Sequence, residues 1–202
     1  DLVPWPTARR MWQARVVRFA DWFTEGEILR QAELLSSHTE VWGRANVTDT
    51  GFTLVGKADR VDVLHDGTAR IYDYKTGPLP SNAQQFHFDK QLLLEAEILQ
   101  QGGFDGLNVL QVTEATYIGV GNELKLAKAP LGEDEVWVKF SELIKSYQNP
   151  NQGYTARRAM LMVDVPSDYD QLARYGEWGT NEHPLLIKTC LLYTSDAADE
   201  LR

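Results

Sequence analysis

A single cysteine, Cys190, stands in the 202 residues. One thiol cannot build a disulfide framework or a cysteine-ligated zinc or iron–sulfur centre within the chain, and its scarcity sets the expectation of a reducing, cytoplasmic setting. Long apolar runs are also lacking. No stretch approaches the roughly 20 residues that a bilayer-spanning helix needs, and no basic segment followed by an apolar one suggests export. Positive charge is in deficit: 20 Lys and Arg face 29 Asp and Glu, a formal charge of −9. Phosphate contacts are made by Lys and Arg, so this balance counts against a free-standing nucleic-acid binder. It leaves room for a chain that meets nucleic acid through metal ions, with the basic surface supplied by a partner. With 43% hydrophobic residues and no low-complexity run, the composition is that of one globular domain, or one domain plus an extension.

The pattern along the chain predicts alternating helices and strands. Thr7 to Ser37 places Trp12, Val16, Phe19, Trp22 and Phe23 near helical spacing, which predicts one long amphipathic helix capped near Thr7, with a break expected near Gly26. Its arginines Arg9, Arg10, Arg15 and Arg18 read as a solvated face, with phosphate contact as the sharper alternative. Strands are expected at Thr39–Thr48, Phe52–Leu64, Thr68–Thr76 and Leu107–Gly121, where apolar and β-branched residues alternate. The prolines of "GPLPSN" (Gly77 to Asn82) forbid a ladder there. Helices are expected at Ala83–Gln101, stopped by Gly102 and Gly103, and at Gly132–Gln148, with acids in its first turn. Asn149 to Lys188 is rich in Pro and Gly, with a short helix expected in "YDQLARYGEW". The order α-β-β-β-α-β-α predicts an α/β domain with a mixed sheet of about four strands.

One stretch, "GKADRVDVLHDGTARIYDYKTG" (Gly56 to Gly77), reads as a hairpin that carries acids and a lysine where a buried face should be apolar. Two turns are compatible with "HDG". A two-residue Asp66-Gly67 turn sends Asp59 and Asp73 to opposite faces. A three-residue loop, His65 to Gly67 with Gly67 left-handed, pairs Asp62 with Arg70, Val61 with Ile71 and Asp59 with Asp73. The second register is favoured because it makes an opposite-charge pair of Asp62 and Arg70. Asp59, Asp73 and Lys75 then share one face, with the two carboxylates roughly 5 Å apart at Cβ. Half-buried like charges at that distance need neutralising. Oxygen-only ligands suit Mg²⁺ or Mn²⁺. Lys75 is placed to stabilise developing charge in a metal-assisted hydrolysis. The plainer alternative is a Lys75–Asp73 salt bridge at a solvated strand end, with Asp59 exposed.

The succession G-x-x-D-R-x-D, D-G turn, D-Y-K-T-G and then "QLLLEAEIL" resembles the RecB-family branch of the PD-(D/E)XK nucleases. Within it, the chain is most similar to the C-terminal nuclease domain of AddB-type double-strand-break repair proteins, and the likeness runs from about Arg9 to Trp178. The resemblance implies a restriction-endonuclease-like core at 7–148, lacking its first helix, and a C-terminal extension at 149–189. It implies that Asp59 and Asp73 bind Mg²⁺ or Mn²⁺, that Lys75 is catalytic, and that Gln91 orients the site or contacts DNA. Relatives often have tyrosine four residues after that glutamine, where this chain has Glu95. His87, Gln91 and Glu95 would form one polar helical stripe, or simply a solvated face. The histidine-bearing motif that opens such domains is missing before Asp59. His38 and Glu40 stand in the wrong context to replace it, and Glu40 is expected to be a surface strand residue. The four cysteines of an iron–sulfur cluster are absent, so no cluster is expected.

The final residues, "CLLYTSDAADELR", resemble the translation of a sequencing adapter. Residues 190–202 are therefore set aside as a non-native tail, and the chain is read as a fragment of a longer protein whose missing histidine motif lies upstream of Asp1. The expectation that follows is a metal-dependent exodeoxyribonuclease domain of a helicase–nuclease complex in DNA repair and recombination, acting on a DNA strand, in single-stranded form at its end, that a partner subunit feeds to it. The alternatives are a nuclease fold kept as an inactive interaction or DNA-binding module, and a stand-alone phage or CRISPR-associated exonuclease.

Overall fold

In the computed structural model the described residues are 5–108, 111–121, 124–132, 135–152, 170–171, 174–179 and 181–182. The chain divides into two compact units, Asp1–Ile144 and Lys145–Arg202. The first unit carries a five-stranded mixed sheet in the order β1-β2-β3-β4-β5. The strands are β1 (Leu34–Val47), β2 (Phe52–Leu64), β3 (Ala69–Lys75), β4 (Val112–Gly119) and β5 (Leu126–Lys128). All neighbours are antiparallel except β3 and β4, which run parallel. A parallel pair needs a crossover, and here it contains α2 (Asn82–His87) and α3 (Gln91–Gln100). The helix α1 (Pro6–Gln31) precedes the sheet and α4 (Val136–Tyr147) follows it.

The β2–β3 hairpin has the three-residue register. Val61 faces Ile71, Asp62 faces Arg70, and Arg60 faces Tyr72. Gly67 has φ +83°, a conformation that glycine adopts without a Cβ penalty. The strand alternation then separates two faces. Ile71, Asp73 and Lys75 point one way, and Arg70, Tyr72 and Tyr74 the other. The first face is covered by α3, whose Leu92, Leu93, Ala96, Ile98 and Leu99 are buried against Ala58, Val61, Ile71, Ala115 and Tyr117. Each fully buried Leu or Ile contributes about 1.5–3 kcal/mol of transfer free energy. Phe104 closes this core over Gly43, where a Cβ would stand 2.8 Å from the ring.

The opposite face meets the C-terminal half of α1. Phe23 packs at a tilt near Tyr74 (ring centroids 6.2 Å apart), and the Arg30 guanidinium lies over Tyr72. Glu27 receives two hydrogen bonds from Arg60, at 2.8 and 2.7 Å. Arg60 also donates to the buried Asp62 at 2.7 and 2.6 Å, and Ser37 completes the Asp62 shell at 2.7 Å. Asp62 is therefore neutralised along its own strand by Arg60, while its cross-strand neighbour Arg70 pairs with Glu33.

Several boundaries differ from the pattern reading. The helix α1 does not break at Gly26. A Cβ there would stand 3.1 Å from the Arg30 guanidinium, so the glycine makes room for Arg30 to reach Glu27 and Tyr72. Nor does α1 bury an apolar face: none of its residues is buried, and Trp12 and Val16 are more than half or about half exposed. Its cap is Trp5 with Pro6 at the first position, not Thr7. The expected helix Ala83–Gln101 is two helices. A capping box at Ser81 and Gln84 opens α2, and the chain breaks before α3 where Asp89 accepts a 2.6 Å hydrogen bond from the Tyr117 hydroxyl. His87 accordingly falls on a different helix from Gln91 and Glu95. The fifth strand, three residues long, is too short to show a pattern.

In the second unit, the described residues hold an Arg174–Glu177 ion pair and an edge-to-face contact between the rings of Tyr175 and Trp178. Residues 170–171 and 174–178, expected to be helical, are turns and bends. The rest of the 149–189 extension beyond residue 152 lies mostly outside the described residues, as does the 190–202 tail. Among the described residues, no helix is long and apolar enough to cross a membrane.

Candidate active site on the β2–β3 hairpin

Four side chains singled out by the sequence meet at one end of the hairpin. Asp73 is buried near the end of β3. Its Oδ2 lies 2.9 Å from Lys75 Nζ, because residues two apart on a strand share a face. That contact has the distance of an ion pair but not the direction of a hydrogen bond, and Oδ2 has no hydrogen-bond partner. Gln91, at the start of α3, lies between the two. Its Nε2 donates to Asp73 Oδ1 at 2.7 Å, and its Oε1 accepts from Lys75 Nζ at 3.0 Å. Asp59 on β2 accepts the Tyr74 backbone N–H at 2.9 Å, one step beyond the last ladder pair, Arg60 and Tyr72. The favoured register therefore does bring Asp59, Asp73 and Lys75 together.

Two further residues enter the site: Tyr117, to which the sequence assigned no part, and Glu95, expected on a polar helical stripe or a solvated face. Tyr117 on β4 lies beneath Lys75, with Nζ 5.5 Å from the ring centre. Glu95, one turn after Gln91, is buried at 5% exposure and receives a 3.2 Å hydrogen bond from the same Gln91 Nε2. The solvated-face reading of the stripe therefore fails for Glu95. Tyr117 left a signal in the sequence, an aromatic in the alternating fourth strand, but its neighbour across the parallel ladder, Asp73, is set by the crossover.

The remaining candidates lie elsewhere. Glu40 is in β1 with φ 56° and pairs with Lys57 on the strand surface, as expected of a surface strand residue. The His38 ring contacts the Ser36 hydroxyl at 3.0 Å. Arg15 sits over Trp12 on the exposed helix.

The electrostatics follow from burial. Desolvation pushes the Asp73 carboxyl up from its ordinary range, opposed by Lys75 and reinforced by Asp59. Burial also pushes Glu95 up, to about 7, with Gln91 opposing and Asp73 and Asp59 adding to the rise. Three carboxylates thus face one ammonium. Buried acids in excess of their cations are costly. Among the described residues, no three His, Cys, Asp or Glu side chains stand at the spacing of a finished metal site. Yet the donor chemistry fits a hard divalent cation: carboxylate oxygens only, an unsatisfied Asp73 Oδ2, and an uncompensated negative charge.

The sequence pattern that defines the PD-(D/E)XK nuclease superfamily matches residues 3–184. The chain belongs to this superfamily. The mixed five-stranded sheet flanked by helices fits the fold of that superfamily. An uncharacterized protein of Rickettsia typhi is 27% identical over 120 residues, which cover 57% of this chain and 14% of that protein. An uncharacterized protein of Rickettsia conorii is 23% identical over 158 residues, covering 71% and 19% respectively. The chain thus spans less than a fifth of the length of these relatives. The crystal structure titled SSO0001 aligns with a TM-score of 0.40 at 17% identity, covering 67% of this chain and 72% of that one. PD-(D/E)XK nucleases typically use Mg²⁺ or Mn²⁺, and the oxygen-rich donor set accords with that.

Proposed function

We propose that this PD-(D/E)XK domain is a Mg²⁺- or Mn²⁺-dependent deoxyribonuclease that hydrolyses phosphodiester bonds. The observation that carries the reading is the convergence of Asp73, Lys75 and Gln91, with Asp59 on the paired strand. In this reading Asp59 and Asp73 would hold the cation. When bound, the ion would supply Lewis acidity to the phosphodiester and lower the pKa of an attacking water. Lys75 gives its positive charge to the phosphate oxygens as negative charge develops on them. Gln91 holds Lys75 and Asp73 by the two ends of one amide, so that the cation-binding carboxylate and the lysine keep a fixed relation. The Tyr117 ring below Lys75 limits where the ammonium can swing.

The finer reading is an exonuclease domain of an AddB-type helicase–nuclease in double-strand-break repair, with a motor partner presenting a DNA end. It is supported by the motif run from Gly56 to Gly77 and by the small share of the long relatives that this chain covers. The net charge of −9 accords with DNA being guided by a partner's basic surface.

Incubation with end-labelled single-stranded and double-stranded DNA tests the function. The reading expects cleavage that requires Mg²⁺ or Mn²⁺, stops with EDTA, and is absent in Asp73→Ala. A folded chain that leaves both substrates intact at millimolar Mn²⁺ contradicts it. Progressive shortening from an end distinguishes an exonuclease from internal cutting.

A further inference from the structure

Glu95 has a position that packing does not explain. It belongs to a helix that otherwise buries Leu92, Leu93, Ala96, Ile98 and Leu99 in the core, and a leucine there would have been the ordinary choice. In this molecule a buried structural acid is given a cation: Asp62 has Arg60 at 2.6 Å. Glu95 has no such partner among the described residues. Its Oε2 is buried with no hydrogen-bond partner, as is Oδ2 of Asp73. Among the described residues its Oε1 has only the Gln91 amide, at 3.2 Å.

That amide nitrogen also lies 2.7 Å from Asp73 Oδ1. One N–H₂ donor group therefore sits where carboxylate oxygens from β3 and α3 converge. Across from Glu95, β2 presents Gly56, where a Cβ would stand 3.8 Å from Glu95 Cγ. Carboxylate oxygens from β3 and α3 thus meet at one amide, with Lys75 as the cation at their edge.

We propose that Glu95 is a third carboxylate donor to the divalent cation, together with Asp59 and Asp73. The Gln91 amide bridges Asp73 and Glu95 when no ion is bound, and keeps its carbonyl on Lys75. This rests on the cation reading given under the proposed function. It goes beyond that reading because it moves part of the metal site from the hairpin to α3. It also gives the buried carboxylate, with its unpaired oxygen, a reason to be there.

The test is Mn²⁺ titration of the 202-residue chain, read from the electron paramagnetic resonance of the free ion. Wild type, Asp73→Ala, Glu95→Gln and Glu95→Asp are compared. Glu95→Gln keeps the shape and an oxygen but removes the charge. The expected result is binding by wild type, at least tenfold weaker binding by Glu95→Gln, and an intermediate loss for Glu95→Asp. A second readout is the melting temperature. In EDTA, Glu95→Gln should melt at or above wild type, since an unpaired buried charge has gone, and Mn²⁺ should raise its melting temperature less than it raises that of wild type. Should Glu95→Gln fail to fold, Glu95→Leu serves the same comparison, because its neighbours are apolar. Wild-type affinity in a Glu95 variant, with binding lost in Asp73→Ala, overturns the proposal and leaves the hairpin site standing. Absence of Mn²⁺ binding by wild type overturns both.

Discussion

Gln91 Nε2 stands 2.7 Å from Asp73 Oδ1, a side-chain bond that ties the first turn of α3 to the end of β3. It lies among carboxylates, so the sign of charge at position 91 should matter more than its bulk. Gln91→Glu adds an acid to Asp73, Asp59 and Glu95. In EDTA it should be destabilised by about 1–3 kcal/mol, and Mg²⁺ or Mn²⁺ should recover more stability than it gives wild type. Thermal melts with and without metal measure both. A variant as stable as wild type in EDTA would mean that this end of the hairpin tolerates another negative charge.

Lys75 is the ammonium paired with Asp73, at 2.9 Å from Oδ2. Removing it should separate binding from chemistry. Lys75→Ala should lower the cleavage rate by roughly 10²–10³-fold while Mn²⁺ affinity is kept or increased, because the competing cation has left the carboxylate. Single-turnover cleavage alongside a metal titration checks the split. Loss of metal binding in this variant would count against the role given to Lys75.

On the other face of the sheet, Arg60 binds Glu27 and Asp62 together. Arg60→Met would leave Asp62, 1% exposed, as a buried unpaired charge, and should cost about 3–5 kcal/mol. The hydrogen bonds from Arg60 hold the Glu27 carboxyl below its ordinary range. Its contribution to stability is therefore fully present above the unfolded value of about 4.3 and is lost as pH falls through the lower folded value. Urea midpoints from neutral pH down to about pH 3 should drop more steeply in wild type than in Glu27→Gln. Parallel curves would show that the pair contributes nothing to the acid limb.

Gly121 supports the site from the strand end. A Cβ there would stand 2.1 Å from the Thr76 carbonyl oxygen, and the adjacent Val120 N–H donates to the Lys75 carbonyl at 2.9 Å. Gly121→Ala must push the chain just after Lys75. A loss of about 1–3 kcal/mol with a fall in cleavage is expected, measured by denaturant midpoint and rate. Unchanged values for both would mean that the two strand ends are loosely held.

The hairpin was legible because its information is local. "HDG" allows two loops, the opposite charges of Asp62 and Arg70 favour one of them, and the period of two places Asp73 and Lys75 on one face. The environment of Glu95 was not legible. Helical spacing joined it to His87, and the break between α2 and α3 depends on Asp89 meeting Tyr117 from a strand 28 residues away. Asp62 does stand opposite Arg70, but its ion-pair partner was not legible, for a similar reason. Register placed it opposite Arg70, but α1 brings Glu27 over Arg60, and Arg60 turns to Asp62. The face of α1 misled most. Its apolar spacing is helical, yet only its C-terminal half reaches the sheet, so Trp12 and Val16 remain exposed.

In the proposed function, Asp59 and Asp73 form a cation site on the hairpin. Calorimetric titration of the wild-type chain with Mn²⁺, repeated on Asp73→Ala, tests it most directly. Saturable binding by wild type that disappears in Asp73→Ala is expected, with both proteins folded by circular dichroism. A folded wild-type chain that takes up no Mn²⁺, or an Asp73→Ala variant that binds it equally well, would contradict the account.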